Sequence, residues 1–418
     1  MIRSARTSFR TSVVASFLTW CDSSIRKALR MRAHRESPSL SPASPPTAAS
    51  AGMLAGRGLA VVFALAVMWP GSAQALDCGS NNGYACTGTA TQYAGGFSPG
   101  VGHGGFGGGS CTATRTPVVY IHGNGDTAIG FDMLPGAVNG YTTPTSSIYD
   151  ELKSRGYNDC ELYGVTYLDA DERAAPQYNY HAPDKYAILK TFIDKVKAHT
   201  GKSQVDIVAH SLGSSMAIAT LRYYGLQGSV RRFINIGGGL RGLNTCYSTG
   251  YQSAYAPVCN AEAWVWPYDH YTFGYYPSTG VLYYGYNRWT GNGSTSLRAM
   301  PSAFTAIRFY TITAGNYDQV HCFTVAYSSG CRDGALFNTT AAVKAQVDIG
   351  FGSSAYAYDW DWADGSPHNL GGGDTSGGVG HFRSKSNAGR IVYNMLATTC
   401  TTGCANGYAG VNGPAVNR

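Results

Sequence analysis

The sequence predicts an α/β fold with a mostly parallel central sheet flanked by helices. Short apolar runs typical of buried strands alternate with helical segments along the chain. Strands that alternate with helices form right-handed βαβ units, in which both faces of a parallel sheet are covered. The hydrophobic content of 44% over 418 residues is sufficient for a large core and excludes a generally disordered chain.

The predicted elements follow from these patterns in chain order. Strands are predicted at Pro117–Ile121, Leu162–Leu168, Val205–Ala209, Arg232–Ile236 and Ala306–Thr313. Helices are predicted at Ser146–Arg155, Gly213–Tyr224 and Arg390–Leu396. A further helix is predicted to start with Asp184 as its cap, and it has an apolar stripe of Tyr186, Leu189, Phe192, Ile193 and Val196. Residues 87–110 are rich in glycine and threonine, which indicates irregular surface chain.

The alternation stops over residues 238–302, which we interpret as an insertion near the active site of a single domain spanning 76–418. The 43 residues 247–289 contain fourteen aromatic side chains, more than twice the whole-chain frequency of 12%. These rings could pack inside a disulfide-tied loop or form an exposed platform for an apolar polymer or lipid. Under the second interpretation, the candidate substrate-binding residues are Tyr251, Trp264, Trp266, Tyr275, Tyr276 and Trp289.

The formal net charge of +7 lies entirely in residues 1–75, which contain nine basic and two acidic side chains. Residues 76–418 are formally neutral, so charge does not support a nucleic-acid or acidic-membrane partner. Residues 53–75 have the basic, apolar and small-residue regions of a secretory signal peptide, and the apolar run is well short of the ~20 residues that span a bilayer. We therefore expect residues 1–52 to be a non-native or disordered extension, and the protein to be secreted after cleavage at Ala75, with no stable membrane anchor.

The cysteines agree with export, because ten of the eleven lie after residue 75 and an even number permits disulfides. Connectivity cannot be deduced from the sequence. Sequential pairing would close short loops at 78–86, 246–259, 322–331 and 400–404, leaving a 111–160 pair. The absence of CxxC and HExxH patterns gives no support for a metal site.

A candidate nucleophile lies in the segment Ala209-His210-Ser211-Leu212-Gly213, between a predicted strand and a predicted helix. A tight strand-to-helix turn exposes a serine hydroxyl in this setting, and small residues must flank the crowded turn. Ala209 stands where the first glycine of G-x-S-x-G is usual, and Gly213 and Ser215 are also small. The alternative is an ordinary serine at a helix N-terminus.

A serine nucleophile needs a base, and the base needs an orienting carboxylate, in the chain order Ser, acid, His. His381 lies in a Gly-rich segment just before the last predicted helix, where the base is expected. We interpret His270, His321 and His368 as surface residues.

The candidate acid is Asp318, which follows the strand at Ala306–Thr313 at its carboxyl end, where open α/β sheets collect their functional groups. Other carboxylates after Ser211 are rivals that turns could use instead. These are Asp348, Asp359, Asp361, Asp364 and Asp374. Asp374 is the strongest rival because it is close to His381 in the sequence.

An oxyanion hole needs two preorganised donors. The sequence predicts the backbone N–H of Leu212, which follows the nucleophile, and the backbone N–H of Asn124. Asn124 lies in Ile121-His122-Gly123-Asn124-Gly125, a loop after an early strand whose glycines permit close approach to a substrate.

The chain resembles α/β-hydrolase serine esterases and, more closely, secreted poly(3-hydroxybutyrate) depolymerases that attack amorphous polymer without a separate substrate-binding domain. The resemblance covers nearly all of 76–418. It rests on the stretches TQYAGGFSPGVGHGGFGGGSCTAT, PVVYIHGNGD, SRGYNDC, YAILKTFIDKVKAHTGKSQVDIVAHSLG, YDWDWADG and GGGDTSGGVGHFR.

The resemblance implies that Ser211, Asp318 and His381 form a triad, that the Asn124 and Leu212 amides form the oxyanion hole, and that surface tyrosines adsorb polymer. It places Tyr180 near the mouth of the active site. We expect ester hydrolysis through an acyl-enzyme, a water-insoluble polyester substrate, no cofactor, no metal, no nucleic acid and a monomer. The alternatives are a triacylglycerol lipase or short-chain carboxylesterase, and a non-catalytic polymer-binding protein.

Overall fold

A nine-stranded sheet forms the centre of the fold. The computed structural model of the protein describes residues 92–132, 146–179, 182–240, 258, 275–276, 281–282, 297, 300–321, 333–350, 360–361, 366–367, 374, 379–410 and 413–418. All of these residues belong to one compact unit within 68–418.

Thirteen strands and six α-helices are described. The strands are β1 Gln92–Ala94, β2 Gly105–Gly108, β3 Val118–Ile121, β4 Leu162–Val165, β5 Val205–His210, β6 Val230–Ile236, β7 Tyr275–Tyr276, β8 Val281–Leu282, β9 Arg308–Thr313, β10 Val343–Asp348, β11 Trp360–Asp361, β12 Ser366–Pro367 and β13 Val416–Asn417. The helices are α1 Ile148–Ser154, α2 Ala170–Ala174, α3 Pro183–Thr200, α4 Leu212–Tyr224, α5 His381–Asn387 and α6 Gly389–Ala397.

The central sheet has the order β1-β2-β4-β3-β5-β6-β9-β10-β13. The six strands from β4 to β10 are parallel, whereas β2 is antiparallel to β4 and β13 is antiparallel to β10. The parallel strands end at the same edge of the sheet, so the loops after β3, β5, β6 and β9 lie together. The predicted fold class, a mostly parallel sheet flanked by helices, is confirmed.

Both faces of the sheet are buried, which explains why its strands are apolar at successive positions. On β3, Val119 and Ile121 pack on one face and Val118 and Tyr120 on the other. Helices α3 and α4 cover the first face, and α1 and α6 cover the second. The predicted stripe of α3 is confirmed, since all five of its apolar side chains are buried.

The prediction of irregular surface chain at 87–110 is wrong for β1 and β2. Every residue of β2 is buried, and it pairs with both β1 and β4. Glycine is required there because a Cβ at Gly105 would lie 2.1 Å from the Gly164 carbonyl oxygen, and one at Gly107 would lie 2.3 Å from the Tyr163 ring. A glycine-rich strand has neither the alternation nor the β-branched residues that identify strands in a sequence.

Helix α3 starts differently from the prediction. Its N-cap is Ala182 and its first residue is Pro183, so Asp184 lies in the first turn instead of capping the helix. Proline is favoured at the first helical position because its missing N–H would have no partner there. Strand β10 was not predicted.

Two of the sequential disulfide pairings are confirmed, Cys111–Cys160 and Cys400–Cys404. The other predicted pairs lie outside the described residues. Within the described part of the chain, every helix is too short or too polar to cross a bilayer.

Candidate active site

Ser211 occupies a strained turn between β5 and α4. Its φ of 53° and ψ of −126° make it the one non-glycine residue with positive φ in the described ranges. Strain of this kind costs about 1–3 kcal/mol and persists only where the surroundings enforce it. Here the Ser211 N–H donates to the Ile236 carbonyl oxygen at 2.9 Å, which ties the turn to β6.

Two glycines allow the neighbouring segments to approach this turn. A Cβ on Gly213 would lie 2.3 Å from the His122 carbonyl oxygen, so only glycine lets α4 start so close to the end of β3. A Cβ on Gly123 would lie 2.8 Å from His210 Nδ1 and 3.0 Å from the Ser211 Cβ. The loop after β3 therefore packs directly against Ser211, with the geometry of a nucleophile elbow.

The structure brings Ser211, His381 and Asp318 into one hydrogen-bonded chain. The Ser211 hydroxyl lies 2.8 Å from His381 Nε2. The other ring nitrogen, His381 Nδ1, lies 2.9 Å from Asp318 Oδ2 and 3.0 Å from Oδ1. In this arrangement Nδ1–H donates to the carboxylate, so Nε2 is free to accept the serine proton.

Asp318 is fully buried beyond the end of β9, and its local backbone holds the carboxylate in place. Asp318 Oδ1 accepts hydrogen bonds from the Val320 N–H at 3.1 Å and the His321 N–H at 2.9 Å. Burial opposes ionisation, but the nearby His321 and His381 rings and these hydrogen bonds hold the pKa of Asp318 below its usual value. The carboxylate is therefore ionised at neutral pH and can stabilise a charged imidazole.

Asp374, the strongest rival, supports the segment that carries His381, the candidate base. Its carboxylate accepts the N–H groups of Gly380, Phe382 and Arg383, and also the side-chain amide of Gln319. Asp374 thus satisfies amides at the N-terminus of α5. Among the described rivals, Asp348 hydrogen-bonds the Gly350 N–H and Arg418, and Asp361 lies in β11. Asp359 and Asp364 lie outside the described residues.

His381 is the first residue of α5, although the sequence placed it in a loop. Its N–H donates to Gln319 Oε1 at 2.9 Å. Its carbonyl oxygen accepts from Ser384 Oγ at 2.7 Å and lies 2.9 Å from His210 Nε2. The backbone of the candidate base is therefore held from both sides, which fixes the position of its ring.

The interpretation of His321 as a surface residue is wrong. Its ring is buried, with Nδ1 at 3.4 Å from Asp318 Oδ2, and it contacts the His381 ring edge-on. Together with Asp318 and His381 it would offer three metal-ligand atoms within 4.8 Å of one another, but two of these groups already bond each other in the serine chain. His270 and His368 lie outside the described residues.

The two predicted oxyanion donors belong to the two segments that adjoin Ser211. Leu212 is the first residue of α4, where a backbone N–H has no partner within the helix. Asn124 follows Gly123, the glycine in contact with Ser211. The sequence did not identify the ion pair between Lys385 on α5 and Asp126, which joins this loop to the helix that begins with His381.

The predicted substrate-binding aromatics are mostly untested. The described residues do not include Tyr180, Tyr251, Trp264, Trp266 and Trp289. Tyr275 and Tyr276 form β7, which pairs with β8.

Phe382 is an aromatic residue near the site that the sequence did not identify. Its side chain is 37% exposed and lies with its ring centroid 5.2 Å from that of His381, so it offers an apolar contact beside the candidate base.

Buried histidines make the folded protein sensitive to acid. Burial lowers the pKa of His122 and His321 to about 4, and that of His210 well below its ordinary value. Unfolded histidines bind a proton near pH 6.5. The unfolded state therefore binds more protons between about pH 6.5 and 4, and the free energy of unfolding falls as the pH drops through this window. Urea unfolding at about pH 7 and 4.5 measures the loss, up to about 3 kcal/mol for each histidine.

A pair of variants checks the origin of this effect. His122→Gln is expected to reduce the difference between the two pH values, because the buried ring is removed. His103→Gln is the control, since His103 is exposed. Equal free energies of unfolding at the two pH values would contradict the prediction.

Residues 115–271 match the family model described as Lipase (class 2). Among solved structures, the chain is similar to lipase B of Aspergillus fumigatus at 15% identity and a TM-score of 0.36, covering 74% of this chain and 56% of that one. It is similar to the propeptide form of the Bacillus licheniformis lipase BlEst2 at 14% identity and a TM-score of 0.32, covering 61% and 48%. For the carboxylesterase CesB of Bacillus subtilis, the identity is 10% and the TM-score 0.28, covering 57% and 76%.

The chain spans about half the length of the first two of these proteins. The topology of the sheet and the family match agree on the same architecture. The chain therefore has the α/β-hydrolase fold, and its residues 115–271 are similar to class 2 lipases.

Proposed function

We propose that the protein is a serine hydrolase that cleaves carboxylic esters through an acyl-enzyme. The observation that carries this proposal is the unbroken chain from the Ser211 hydroxyl to His381 and the buried, ionised Asp318. A serine hydroxyl is a weak nucleophile, and an adjacent base oriented by a carboxylate activates it. The match of residues 115–271 to class 2 lipases supports ester chemistry.

In the proposed reaction, His381 Nε2 takes the Ser211 proton while Oγ attacks the ester carbonyl. The Asn124 and Leu212 amides stabilise the tetrahedral oxyanion, and each such donor is worth about 3 kcal/mol. His381 then protonates the leaving alcohol, and the acyl group remains on Ser211. Water attacks this acyl-enzyme with His381 again as the base, and the carboxylic acid product is released as the bond to Ser211 Oγ breaks and His381 returns the proton to Oγ. Asp318 stabilises the imidazolium in both halves of the reaction.

For the substrate we propose poly(3-hydroxybutyrate) in its amorphous form, cleaved to hydroxybutyrate oligomers and monomer. Three observations support it: the long stretches that resemble depolymerases, the aromatic-rich residues 247–289, and the exposed Phe382 beside His381. The formal neutrality of residues 76–418 suits an uncharged polymer. We further propose a secreted monomer, and the two described disulfides are compatible with export.

A second candidate is a triacylglycerol lipase or short-chain carboxylesterase, which the class 2 lipase match favours. Both candidates need the same serine, so the chemistry of the site does not separate them. What separates them is the surface that presents the ester, a polymer particle in one case and an emulsified lipid or dissolved ester in the other.

Turnover of three substrates by the same preparation tests the proposal. Amorphous poly(3-hydroxybutyrate), emulsified tributyrin and dissolved 4-nitrophenyl butyrate are compared at equal ester concentration. We expect the polymer to be hydrolysed to soluble oligomers at the highest rate. Faster hydrolysis of tributyrin, with no soluble product from the polymer, would show that the protein is a lipase and not a depolymerase.

Labelling with an organophosphate tests the catalytic step separately from the substrate. We expect one phosphoryl group per chain, on a peptide that contains Ser211, with loss of ester hydrolysis. Polymer binding without labelling would instead indicate a non-catalytic polymer-binding protein.

A further inference from the structure

The side chain of Asn124 is held by a short segment that follows β4. Asn124 Nδ2 donates to the Pro176 carbonyl oxygen at 2.8 Å, and Asn124 Oδ1 accepts from Asn179 Nδ2 at 2.6 Å. Both polar atoms of this carboxamide are therefore engaged. The backbone N–H of the same residue is the proposed oxyanion donor.

Asn179 is suited to hold another residue in place. Its side chain is 2% exposed, and its Nδ2 donates a second hydrogen bond to the Glu172 carbonyl oxygen at 2.9 Å. The NH2 group has two hydrogens, so these two bonds use its full donor capacity. The amide cannot rotate without losing both bonds, since each partner is an acceptor.

The segment that carries these contacts is itself anchored. Asp169 and Glu172 form a reciprocal capping box at the start of α2. Lys185, which is nearly buried on α3, forms a 2.7 Å ion pair with Glu172. Asn179 thus connects the loop after β3 to α2, which the ion pair between Glu172 and Lys185 holds against α3.

The loop after β3 needs such an anchor because its backbone is intrinsically loose. Asn124 lies between two glycines, and Gly125 has a φ of 69°, which glycine adopts without strain. On the far side, Asp126 is held by Lys385 of α5. The Asn124 side chain supplies the matching restraint on the near side, next to Ser211.

We propose that Asn179 is a positioning residue of the oxyanion hole. It acts through the Asn124 side chain and keeps the Asn124 amide aimed at the carbonyl oxygen of the substrate. The inference rests on the proposed acyl transfer at Ser211. A donor displaced by about 1 Å can cost roughly 100-fold in rate, although the group itself does not react.

The isosteric variant Asn179→Asp tests the proposal. It replaces an NH2 group that donates to two acceptors by a carboxylate oxygen that repels both of them. With 4-nitrophenyl butyrate we expect kcat to fall roughly 10- to 100-fold, with KM nearly unchanged, because the donor acts mainly in the transition state. The inhibition constant of butylboronic acid, whose adduct with Ser211 is tetrahedral, is expected to rise by a similar factor.

Asn124→Ala gives a second test that does not depend on how Asn179→Asp folds. This variant keeps the backbone N–H and removes only the restrained side chain, so it should lower kcat to the same extent. The single variant Asn179→Ala completes a double-mutant cycle. The double variant Asn124→Ala/Asn179→Ala should be no slower than the slower of the two single alanine variants, since both changes break the contact between Asn124 and Asn179. Additive losses would overturn the proposal.

The matched control is Asn394→Asp on α6. Asn394 Nδ2 also donates to two carbonyl oxygens, those of Cys404 at 2.8 Å and Asn406 at 3.0 Å, and both partners belong to the C-terminal segment after α6. It should lower the melting temperature and leave kcat and the boronic acid inhibition unchanged. An Asn179→Asp protein that behaves in the same way would have a structural role only, which overturns the positioning role.

Failure of the proposed function is distinguishable from failure of this inference. If the wild-type protein hydrolyses the ester and is labelled at Ser211, the proposed chemistry stands, and an unchanged kcat in Asn179→Asp overturns only the positioning role. If the wild-type protein neither hydrolyses esters nor reacts with the organophosphate, both are overturned.

Discussion

Replacing Ser211 by Ala is expected to lower the rate of ester hydrolysis by about a millionfold. The variant removes the atom that forms the covalent bond with the substrate, so His381 and Asp318 have no nucleophile to activate. Alanine has the same Cβ as serine and experiences the same strain at φ 53°, so the fold should be retained. Initial rates on amorphous poly(3-hydroxybutyrate) and on 4-nitrophenyl butyrate, with circular dichroism of the variant, measure this result.

The matched control is Ser214→Ala, in the first turn of α4, the helix that follows Ser211. The Ser214 hydroxyl donates to the Ala209 carbonyl oxygen at 2.9 Å, so this hydroxyl joins α4 to β5 and is not part of the chain from Ser211 to His381 and Asp318. This variant should retain most of the activity. Full hydrolysis by Ser211→Ala would show that the proposed mechanism is wrong.

Asp318→Asn is expected to lower kcat by roughly 10⁴-fold with little change in KM. Asparagine is isosteric with aspartate, but its NH2 group cannot accept the Nδ1–H of His381, and it cannot stabilise a charged ring. The imidazole then favours the tautomer that carries its proton on Nε2, where it cannot take the serine proton. Steady-state kinetics on a soluble ester at about pH 8 measure the loss.

Asp374→Asn separates the two carboxylates that the sequence left as the main rivals. An asparagine oxygen can still accept the Gly380, Phe382 and Arg383 amides in part, so the loss should be about tenfold or less. If Asp374→Asn were the more damaging change, Asp374 and not Asp318 would be the orienting acid. The burial of Asp318 and its 2.9 Å contact with His381 support the first outcome.

The strands and helices around the site could be predicted because each has a local signature. Segments of four to seven mostly apolar residues mark β3, β5 and β6, and the 3.6-residue stripe marks α3. The turn at Ser211 is also local, since it needs only a strand, a helix and small flanking residues within a few positions. Strand β2 lacks such a signature because it is made of glycine and phenylalanine, whereas β10 alternates apolar and polar residues, a local pattern from which it could have been predicted.

The environment of His321 could not be predicted for a different reason. Mostly polar residues precede His321 and mostly apolar residues follow it, so its neighbours in the sequence do not indicate whether its ring is buried. In the folded protein the same ring packs against Asp318 and His381, because the 3-10 turn after β9 returns the chain towards the core. Burial of a single polar side chain depends on what packs over it, and that depends on residues distant in the chain.

Local sequence patterns were sufficient to predict the fold class, the candidate nucleophile and the loop that packs against it, because these depend on neighbouring residues. The contact of Asp318 rather than Asp374 with His381 Nδ1, and the contact between Asn124 and Asn179, are visible only in the folded structure. These contacts join residues that are 63 positions apart for Asp318 and His381, and 55 positions apart for Asn124 and Asn179. Such pairs leave no local periodicity, since their geometry arises when separate loops meet at the carboxyl edge of the sheet.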